Sequence, residues 1–260
     1  MTLPGTLDAG LPTVSGRPWP GVRYFCTTRQ GGASVGPWSA LNLGRHTRDD
    51  PAHVDQNRAL LLRHLPAAPL WLDQVHGSTV LDADLSQPSE PGRQALPVAD
   101  AAVTTRPGTV LAIMTADCLP VVIASMDGRA LGVAHAGWRG LAAGVLENTL
   151  AALRLRADVG TTWQAWVGPA ISRVHFEVGP DVYEAFTATD PEASAHFAPG
   201  AAQKWMADLP ALARRRLLQA GIQQVELSGV CTYAQADKYY SFRRNPTTGR
   251  QATLAWLAPV

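Results

Sequence analysis

The sequence predicts an α/β (α+β) fold, a single domain in which a mixed sheet is covered by helices. Three observations predict it. Strand-like and helix-like stretches alternate along the chain, the pattern of sheets flanked by helices. Asp127-Gly128 lies between two apolar runs as a hairpin signal, which inserts antiparallel pairing and argues against a doubly wound parallel sheet. The 260 residues, 46% of them hydrophobic, suffice for one substantial core.

Residues Met1 to Pro20 are rich in proline and glycine without a sustained period, so an irregular N-terminal arm is expected over 1–20 and a single domain over 21–260. Val22 to Thr28 reads as a strand from its β-branched and aromatic content, and Gln30 to Pro37 as a long turn. Asp50-Pro51 is a helix start, and Val54, Leu60, Leu61 and Leu62 carry that helix to about His64. Leu70 to Val75 reads as a strand that delivers His76 at its end, and the proline-rich stretch Ser86 to Pro97 as a loop. Thr109 to Thr115 and Pro120 to Ser125 are expected strands separated by Ala116-Asp117-Cys118, and Ala130 to Ala134 is the strand that follows the hairpin and ends on His135. Leu141, Val145, Leu146, Leu150 and Leu153 are spaced for one face of a helix after Gly137-Trp138-Arg139-Gly140. Trp163 to Val167 is a further strand, and Pro180 to Phe186 and Leu209 to Ala220 are helices, the second stopped by Gly221. Ile222 to Leu227 and Gln251 to Leu257 complete the strands.

Charge and cysteine usage narrow the function. With 22 basic and 21 acidic residues the formal charge is +1, without the excess that sequence-independent nucleic-acid binding needs, so a small-molecule partner is favoured. Cys26, Cys118 and Cys231 lie far apart and form no C-x-x-C pair, which argues against a disulfide framework and a zinc knuckle and fits a reducing cytoplasm. No secretory signal precedes Arg17, and the apolar stretch from Val110 to Ser125 is interrupted by Asp117 and Pro120 and is too short to span a bilayer. A cytoplasmic monomer is expected.

Three borderline or soft ligands stand out: His76 in Gln74-Val75-His76-Gly77, Cys118 in Ala116-Asp117-Cys118, and His135 before Ala136-Gly137-Trp138-Arg139-Gly140. Two imidazoles and a thiolate suit Zn²⁺, which prefers four ligands, so water or substrate would complete the shell. Taken singly, a half-buried histidine or a buried core thiol is the commoner use, and spacing alone leaves both readings open. Each falls beside a glycine or aspartate at an expected strand end, where functional residues are commonly displayed. Gly137 and Gly140 permit close backbone approach, the helix after them directs free N–H groups toward the turn, and Arg139 adds a guanidinium, which together suggest an anion site. A surface arginine or an ion pair is the plainer use of Arg139, and packing that of Trp138. A second polar group comprises Arg29, Gly31, Gly32, Ser34, Asn42 and Gly44 with Asn57 and Arg58; a third comprises Tyr239 to Arg244 with Gly249-Arg250. Chain turning and internal ion pairing are their ordinary uses. The chain has no nucleophile elbow, P-loop, H-E-x-x-H or zinc-deaminase signature.

Together, Thr28 to Ser34, Leu41-Asn42-Leu43-Gly44, Gln74 to Gly77, Ala99-Asp100-Ala101, Thr115 to Pro120, His135 to Gly140, Gly168 to Ile171, Cys231-Thr232, Ser241 to Arg244 and Thr248 to Gln251 resemble the multicopper polyphenol oxidase, or laccase-domain, family, also called the YfiH family. The resemblance runs in order from about Phe25 to Leu257. It implies one α/β domain of layered sheets flanked by helices, and a zinc held by His76, Cys118 and His135. It further implies phosphorolysis of adenosine, inosine, guanosine and methylthioadenosine, together with adenosine deamination. Arg29, Ser34, Asn42, Gly137, Arg139 and Arg243 are then the candidates for holding nucleoside and phosphate, and Asp117 for moving a proton. The chain departs from the family pattern at Arg48 and over Val174 to Val178, which bears on substrate preference.

Copper oxidase chemistry fits less well, because oxygen reduction needs further histidine-rich sites and His46, His53, His64, His175 and His196 are scattered. A different enzyme class uses the same side chains without metal: Cys118 as nucleophile and His135 or His76 as base, in an amidase of the kind linked to peptidoglycan precursor editing. A structural zinc site is the non-enzymatic reading, against which three protein ligands argue.

Overall fold

The structure is a computed structural model that describes residues 3–7, 10–85 and 95–258. Strands β1 (Leu3–Leu7), β2 (Leu11–Ser15) and β3 (Val22–Thr27) precede helix α1 (Pro51–Leu62). The Asp50 carboxylate caps α1 by accepting from the Ala52 N–H at 2.9 Å, and Pro51 occupies the first turn, where a missing N–H costs nothing. Then come β4 (Val80–Asp82), β5 (Ala101–Thr104), β6 (Leu111–Thr115), β7 (Leu119–Ser125) and β8 (Leu131–Ala136), followed by α2 (Trp138–Ala142), α3 (Val145–Arg154) and β9 (Trp163–Val167). The chain continues through β10 (Glu177–Val178), α4 (Pro180–Thr187), β11 (Phe197–Pro199), β12 (Trp205–Ala207), α5 (Leu209–Gln219), β13 (Gln224–Leu227) and β14 (Gln251–Leu257).

Two large sheets stack face to face. One is antiparallel, in the order β1-β2-β3-β14-β6; the other is mixed, in the order β13-β9-β7-β8-β5-β4, with β13 parallel to β9 and β4 parallel to β5. A small third sheet runs β10-β12-β11. Alternation along the strands sorts the core into layers. In β7, Val122 and Ala124 meet Val22, Tyr24, Ile113 and Ala255 of the antiparallel sheet, whereas Leu119, Val121 and Ile123 meet Leu146 and Leu150 of α3 and Leu212 and Leu217 of α5. In β14, Ala252 and Leu254 turn outward toward Leu61 of α1. The layers therefore run α1, antiparallel sheet, mixed sheet, then α3 with α5, which is the α/β architecture expected. With both faces covered, every residue of β7 is buried. Ile123→Ala, which empties a fully buried position, is expected to lower the unfolding free energy by about 2–5 kcal/mol in urea titrations.

Three local expectations are corrected. The arm over 1–20 is not irregular: β1 pairs with β2, and β2 continues the antiparallel sheet through Thr13 opposite Thr27 and Val14 opposite Cys26. Its prolines are tolerated near the sheet edge, where an N–H can be spared. Leu70 to Val75 is not a strand, and it makes only isolated bridges, Leu70 to Leu111 and Asp73 to Val98, because Gln74 spends its side chain on both backbone groups of Met114 at 2.8 Å. The helix expected through Leu153 is broken between α2 and α3 by Gly144, which takes φ 89°. The loop expected over Ser86 to Pro97 lies, up to residue 94, outside the described residues. Among the described residues no helix is long and apolar enough to cross a membrane.

β6 and β7 are consecutive in sequence but belong to different sheets. The chain crosses from one layer to the other within Ala116-Asp117-Cys118, and Asp117 takes φ 102° to make that turn.

Candidate metal centre

Strand register gathers the first parts of the site. Ala101 pairs with Ala134 and Pro120 with His135, so Asp100, His135 and the Cys118 turn come side by side at one end of the mixed sheet. The His135 N–H donates to the Asp100 carbonyl at 2.7 Å. The loop carrying His76 is then laid over this end by the Asp100 carboxylate, which accepts from three successive N–H groups: Val75 at 3.2 Å, His76 at 2.9 Å and Gly77 at 2.7 Å. Those bonds hold His76 at φ 62°, a left-handed conformation that costs a branched-chain-free L residue on the order of 1 kcal/mol.

Asp100 also touches a ligand candidate directly. His135 Nδ1 lies 2.8 Å from Asp100 Oδ1, which leaves Nε2 to face the neighbouring side chains and fixes the ring orientation. His76 Nε2 is 3.9 Å from Cys118 Sγ, and the two imidazoles meet edge to face with centroids 4.8 Å apart. One ligand atom from each of His76, Cys118 and His135 falls within 4.8 Å of the others. Ligand atoms around a tetrahedral zinc stand about 3.5 Å apart, so small side-chain adjustments suffice. His135 is buried, Cys118 half-buried and His76 exposed, so the group opens to solvent on the His76 side.

The electrostatics suit a thiolate ligand. Burial raises the Cys118 thiol, but the His135 charge and hydrogen bonds from both imidazoles outweigh it and pull the thiol below its ordinary range. Burial likewise opposes a charged His135, yet Cys118 and Asp100 hold that imidazole above its usual value. Burial would raise Asp100 too; the hydrogen bonds from His135, Gly77 and His76 reverse the shift and keep it a carboxylate.

Gly137 forms a wall of this site. A Cβ there would stand 2.9 Å from both Cys118 Sγ and His76 Cδ2. Arg139 is exposed on α2 with its guanidinium 4.3 Å over the Trp138 ring. The other expected site residues are engaged elsewhere. Asp117 is buried and accepts from Thr232 Oγ1 at 2.7 Å, Ser241 Oγ at 2.9 Å and the Arg243 N–H at 2.7 Å, so its carboxylate pins the C-terminal loop to the ligand-bearing turn. The Arg243 guanidinium donates to the Glu177 carbonyl and lies over Phe176. Arg29 donates to the Ser39 and Ala236 carbonyls. Ser34 donates to Asp49 at 2.6 Å, and Asn42 donates to Asp49 and Thr47 and accepts from the Gly44 and Arg250 N–H groups. Asn57 joins Ser34 to the Asn42 carbonyl. Ser34, Asn42 and Asn57 thus hold the loop before α1 against that helix.

Sequence reasoning gave Asp100 no role. Its signal was a lone carboxylate in the apolar run Val98-Ala99-Asp100-Ala101-Ala102-Val103, where burial without a partner would be costly.

The comparisons with known proteins agree over nearly the whole chain. The family model of the multi-copper polyphenol oxidoreductase laccase matches residues 23–258. The purine nucleoside phosphorylase YfiH of Escherichia coli is 46% identical over 244 residues, covering 92% of this chain and 96% of that protein. A purine nucleoside phosphorylase of Xylella fastidiosa is 47% identical over 248 residues, covering 92% and 94%. The crystal structure of a Neisseria meningitidis protein, 40% identical, matches with a TM-score of 0.86 over 95% of this chain and 98% of that one. The chain belongs to the multi-copper polyphenol oxidoreductase laccase family, alongside relatives named as purine nucleoside phosphorylases.

Proposed function

We propose that the chain is a zinc-dependent purine nucleoside phosphorylase acting on adenosine, inosine, guanosine and methylthioadenosine, with adenosine deamination as a second activity. The observation that carries the reading is the convergence of His76, Cys118 and His135, open to solvent on one side, in a chain 46% identical to a purine nucleoside phosphorylase. The donor set fits zinc, two imidazoles and an acidified thiol with a carboxylate behind one imidazole. A zinc held by His76, Cys118 and His135 would supply Lewis acidity beside the nucleoside and would acidify water there. A multicopper centre would need more histidines, and among the described residues no second such group converges.

The chain's own residues then bind and orient. Asp100 fixes the His135 ring and the His76 loop, Gly137 leaves room for substrate close to the sulfur, and Arg139 offers a permanent charge at the rim. Asp117 acts as a positioning residue, since its carboxylate serves the segment that follows Cys231 and its carbonyl accepts from the Ile171 N–H. In phosphorolysis a phosphate oxygen forms a bond to the ribose C1′ as the C1′–N bond breaks; the base leaves with that electron pair and takes up a proton. Holding phosphate against the ribose face converts a bimolecular encounter into a local one and stabilises the positive charge that develops on the sugar.

The test is incubation of the purified protein with adenosine, with and without phosphate, and identification of the products. Adenine and ribose 1-phosphate are expected only with phosphate, and inosine in both arms. Turnover that yields free ribose and ignores phosphate would sink the phosphorylase reading. A second reading has one observation in its favour: without metal, Cys118 and His135 form a thiolate–imidazolium pair, the arrangement of a cysteine hydrolase or amidase. Chelation separates the two, since it abolishes a zinc phosphorylase and spares a thiol amidase.

A further inference from the structure

Two half-buried arginines lie beside the ligand-bearing turn, and neither meets a carboxylate. Gln251 pairs with Thr115, so Arg250, one residue earlier, stands level with Ala116 at the start of the turn that ends in Cys118. Its guanidinium donates only to carbonyls of its own loop, Thr248 at 3.3 Å and Gly249 at 2.9 Å. Arg58 on α1 donates to the Leu43 carbonyl at 2.9 Å and approaches Met114 Sδ at 3.9 Å, with its guanidinium 4.2 Å from the centre of the Trp71 ring. A single residue ties the two together: Leu43 accepts from Arg58 through its carbonyl and donates its N–H to the Arg250 carbonyl at 3.1 Å. On the far side, Met114 is held by both ends of the Gln74 side chain, two residues before His76. Gly44 keeps the approach open, because a Cβ there would stand 2.9 Å from Arg250 Cγ.

Among the described residues, Arg29 and Arg244 are half-buried and likewise donate to carbonyls, whereas three other half-buried arginines are neutralised. Arg156 meets Asp82 and Asp84, Arg215 meets Asp190, and Arg216 meets Glu147. Carbonyl dipoles satisfy N–H groups but cancel no charge, so two guanidiniums drawn from water on either side of Leu43 leave a positive potential that an anion would relieve, offset at Arg250 in part by Cys118 and Asp117. Burial lowers both arginines, and the charges that oppose the shift at Arg250 are those of Cys118 and Asp117, beside which it sits. The third member is His46, exposed two residues after the Gly44 that packs against Arg250 Cγ; its imidazole is held below its ordinary value by partial burial and by Arg250 and Arg58, with Asp73 acting in the opposite direction. Asp55, the acid near Arg58 on its own helix, is taken by Arg45 at 2.6 Å. A neutral imidazole beside two fixed guanidiniums offers one more donor without adding a competing cation.

We propose that Arg58, Arg250 and His46 form a binding site for a tetrahedral oxyanion next to the His76, Cys118 and His135 group, and that its ligand is inorganic phosphate. The choice of phosphate rests on the phosphorolysis reading; the preference for a dianion rests on the two unneutralised guanidiniums alone. The planar fork of each guanidinium presents paired donors to oxygen, and the site borders the metal candidates, so a bound phosphate would stand within reach of a nucleoside held there.

The experiment is isothermal titration of the metal-loaded protein with inorganic phosphate at low ionic strength, without nucleoside, beside a sulfate arm and an acetate arm. Phosphate and sulfate are expected to bind and acetate not to. Arg250→Gln and Arg58→Gln are each expected to weaken phosphate binding at least tenfold, with Arg250→Lys intermediate and Arg129→Gln, on an exposed turn far from the site, unchanged. Metal content and melting temperature are measured on every variant, and Arg250→Lys keeps the test open if a glutamine variant fails to fold. Wild-type affinity for phosphate in folded, metal-loaded Arg250→Gln and Arg58→Gln overturns the site, and so does the absence of binding to the wild type. The two proposals fail separately. Arginine-dependent phosphate binding by a protein that never cleaves adenosine upholds the site and refutes phosphorolysis. Phosphorolysis with the phosphate KM unchanged in both variants refutes the site and upholds the reaction.

Discussion

Asp100→Ala is expected to weaken metal binding by about 10- to 100-fold and to lower the unfolding free energy by about 3–5 kcal/mol. The carboxylate is wholly buried and serves four donors at once: the N–H groups of Val75, His76 and Gly77 and the His135 imidazole. Its removal leaves those donors without their acceptor, the buried His135 imidazole among them, frees the His135 ring to rotate, and releases the restraint that keeps His76 left-handed. Asparagine is no rescue, because each carboxylate oxygen accepts two bonds and an amide nitrogen in either place would face donors. Asp84→Ala separates the two effects. That carboxylate, also buried, accepts from Thr104, Thr105 and Arg156 away from the ligand candidates, so its loss should destabilise the fold and leave metal affinity alone. Chelator competition and urea titration on both variants check this, and unaltered metal affinity in Asp100→Ala would refute its role.

The second large effect is expected at Gly137. Gly137→Ala adds one methyl group where Cys118 Sγ and His76 Cδ2 are each 2.9 Å away, closer than carbon approaches sulfur or an aromatic carbon without displacement. The backbone of Gly137 is extended, φ −63° and ψ 161°, which alanine adopts freely, so the cost falls on the neighbours and not on the turn. Displacing two of three ligand side chains by fractions of an ångström is expected to reduce turnover on the order of 100-fold, with the melting temperature shifted by only a few degrees. Phosphorolysis assays and thermal melts on the same preparation check it. Activity near that of the wild type would mean that the thiol and the imidazole do not work in the positions seen here.

What could be read from the sequence was what short stretches encode by themselves. Asp127-Gly128 announced the β7–β8 turn, Asp50-Pro51 the start of α1, and Gly221 the end of α5, each through chemistry confined to a few residues. Partnership between distant stretches was not legible. β6 and β7 look like neighbours on one sheet, yet they lie in different layers, because the partner of β6 is β14, more than a hundred residues away. Leu70 to Val75 has the apolar content of a strand but makes only isolated bridges, one of them to β6, because the Gln74 side chain takes the backbone groups of Met114 that a ladder would use. For the site, residue type singled out His76, Cys118 and His135, whose donor atoms converge. It could not distinguish a polar side chain facing a ligand from one holding a loop, as Ser34 and Asn42 do, since both uses demand the same hydrogen-bonding groups.

The placement of β14 bears on how this protein comes to exist at all. The last strand of the chain is inserted between β3 and β6, in the interior of the antiparallel sheet. Until residues 251–257 have been synthesised and docked, β3 and β6 each expose a row of unpaired backbone groups on an apolar scaffold, a template for joining to other chains. Asp117 likewise waits for Thr232, Ser241 and Arg243 before its turn is secured. A growing or truncated chain would therefore carry most of its core and all three ligand candidates, with Cys118 on an unsecured turn, and long-range strand insertion, an intrinsically slow event, would set the moment at which the protein becomes safe from aggregation.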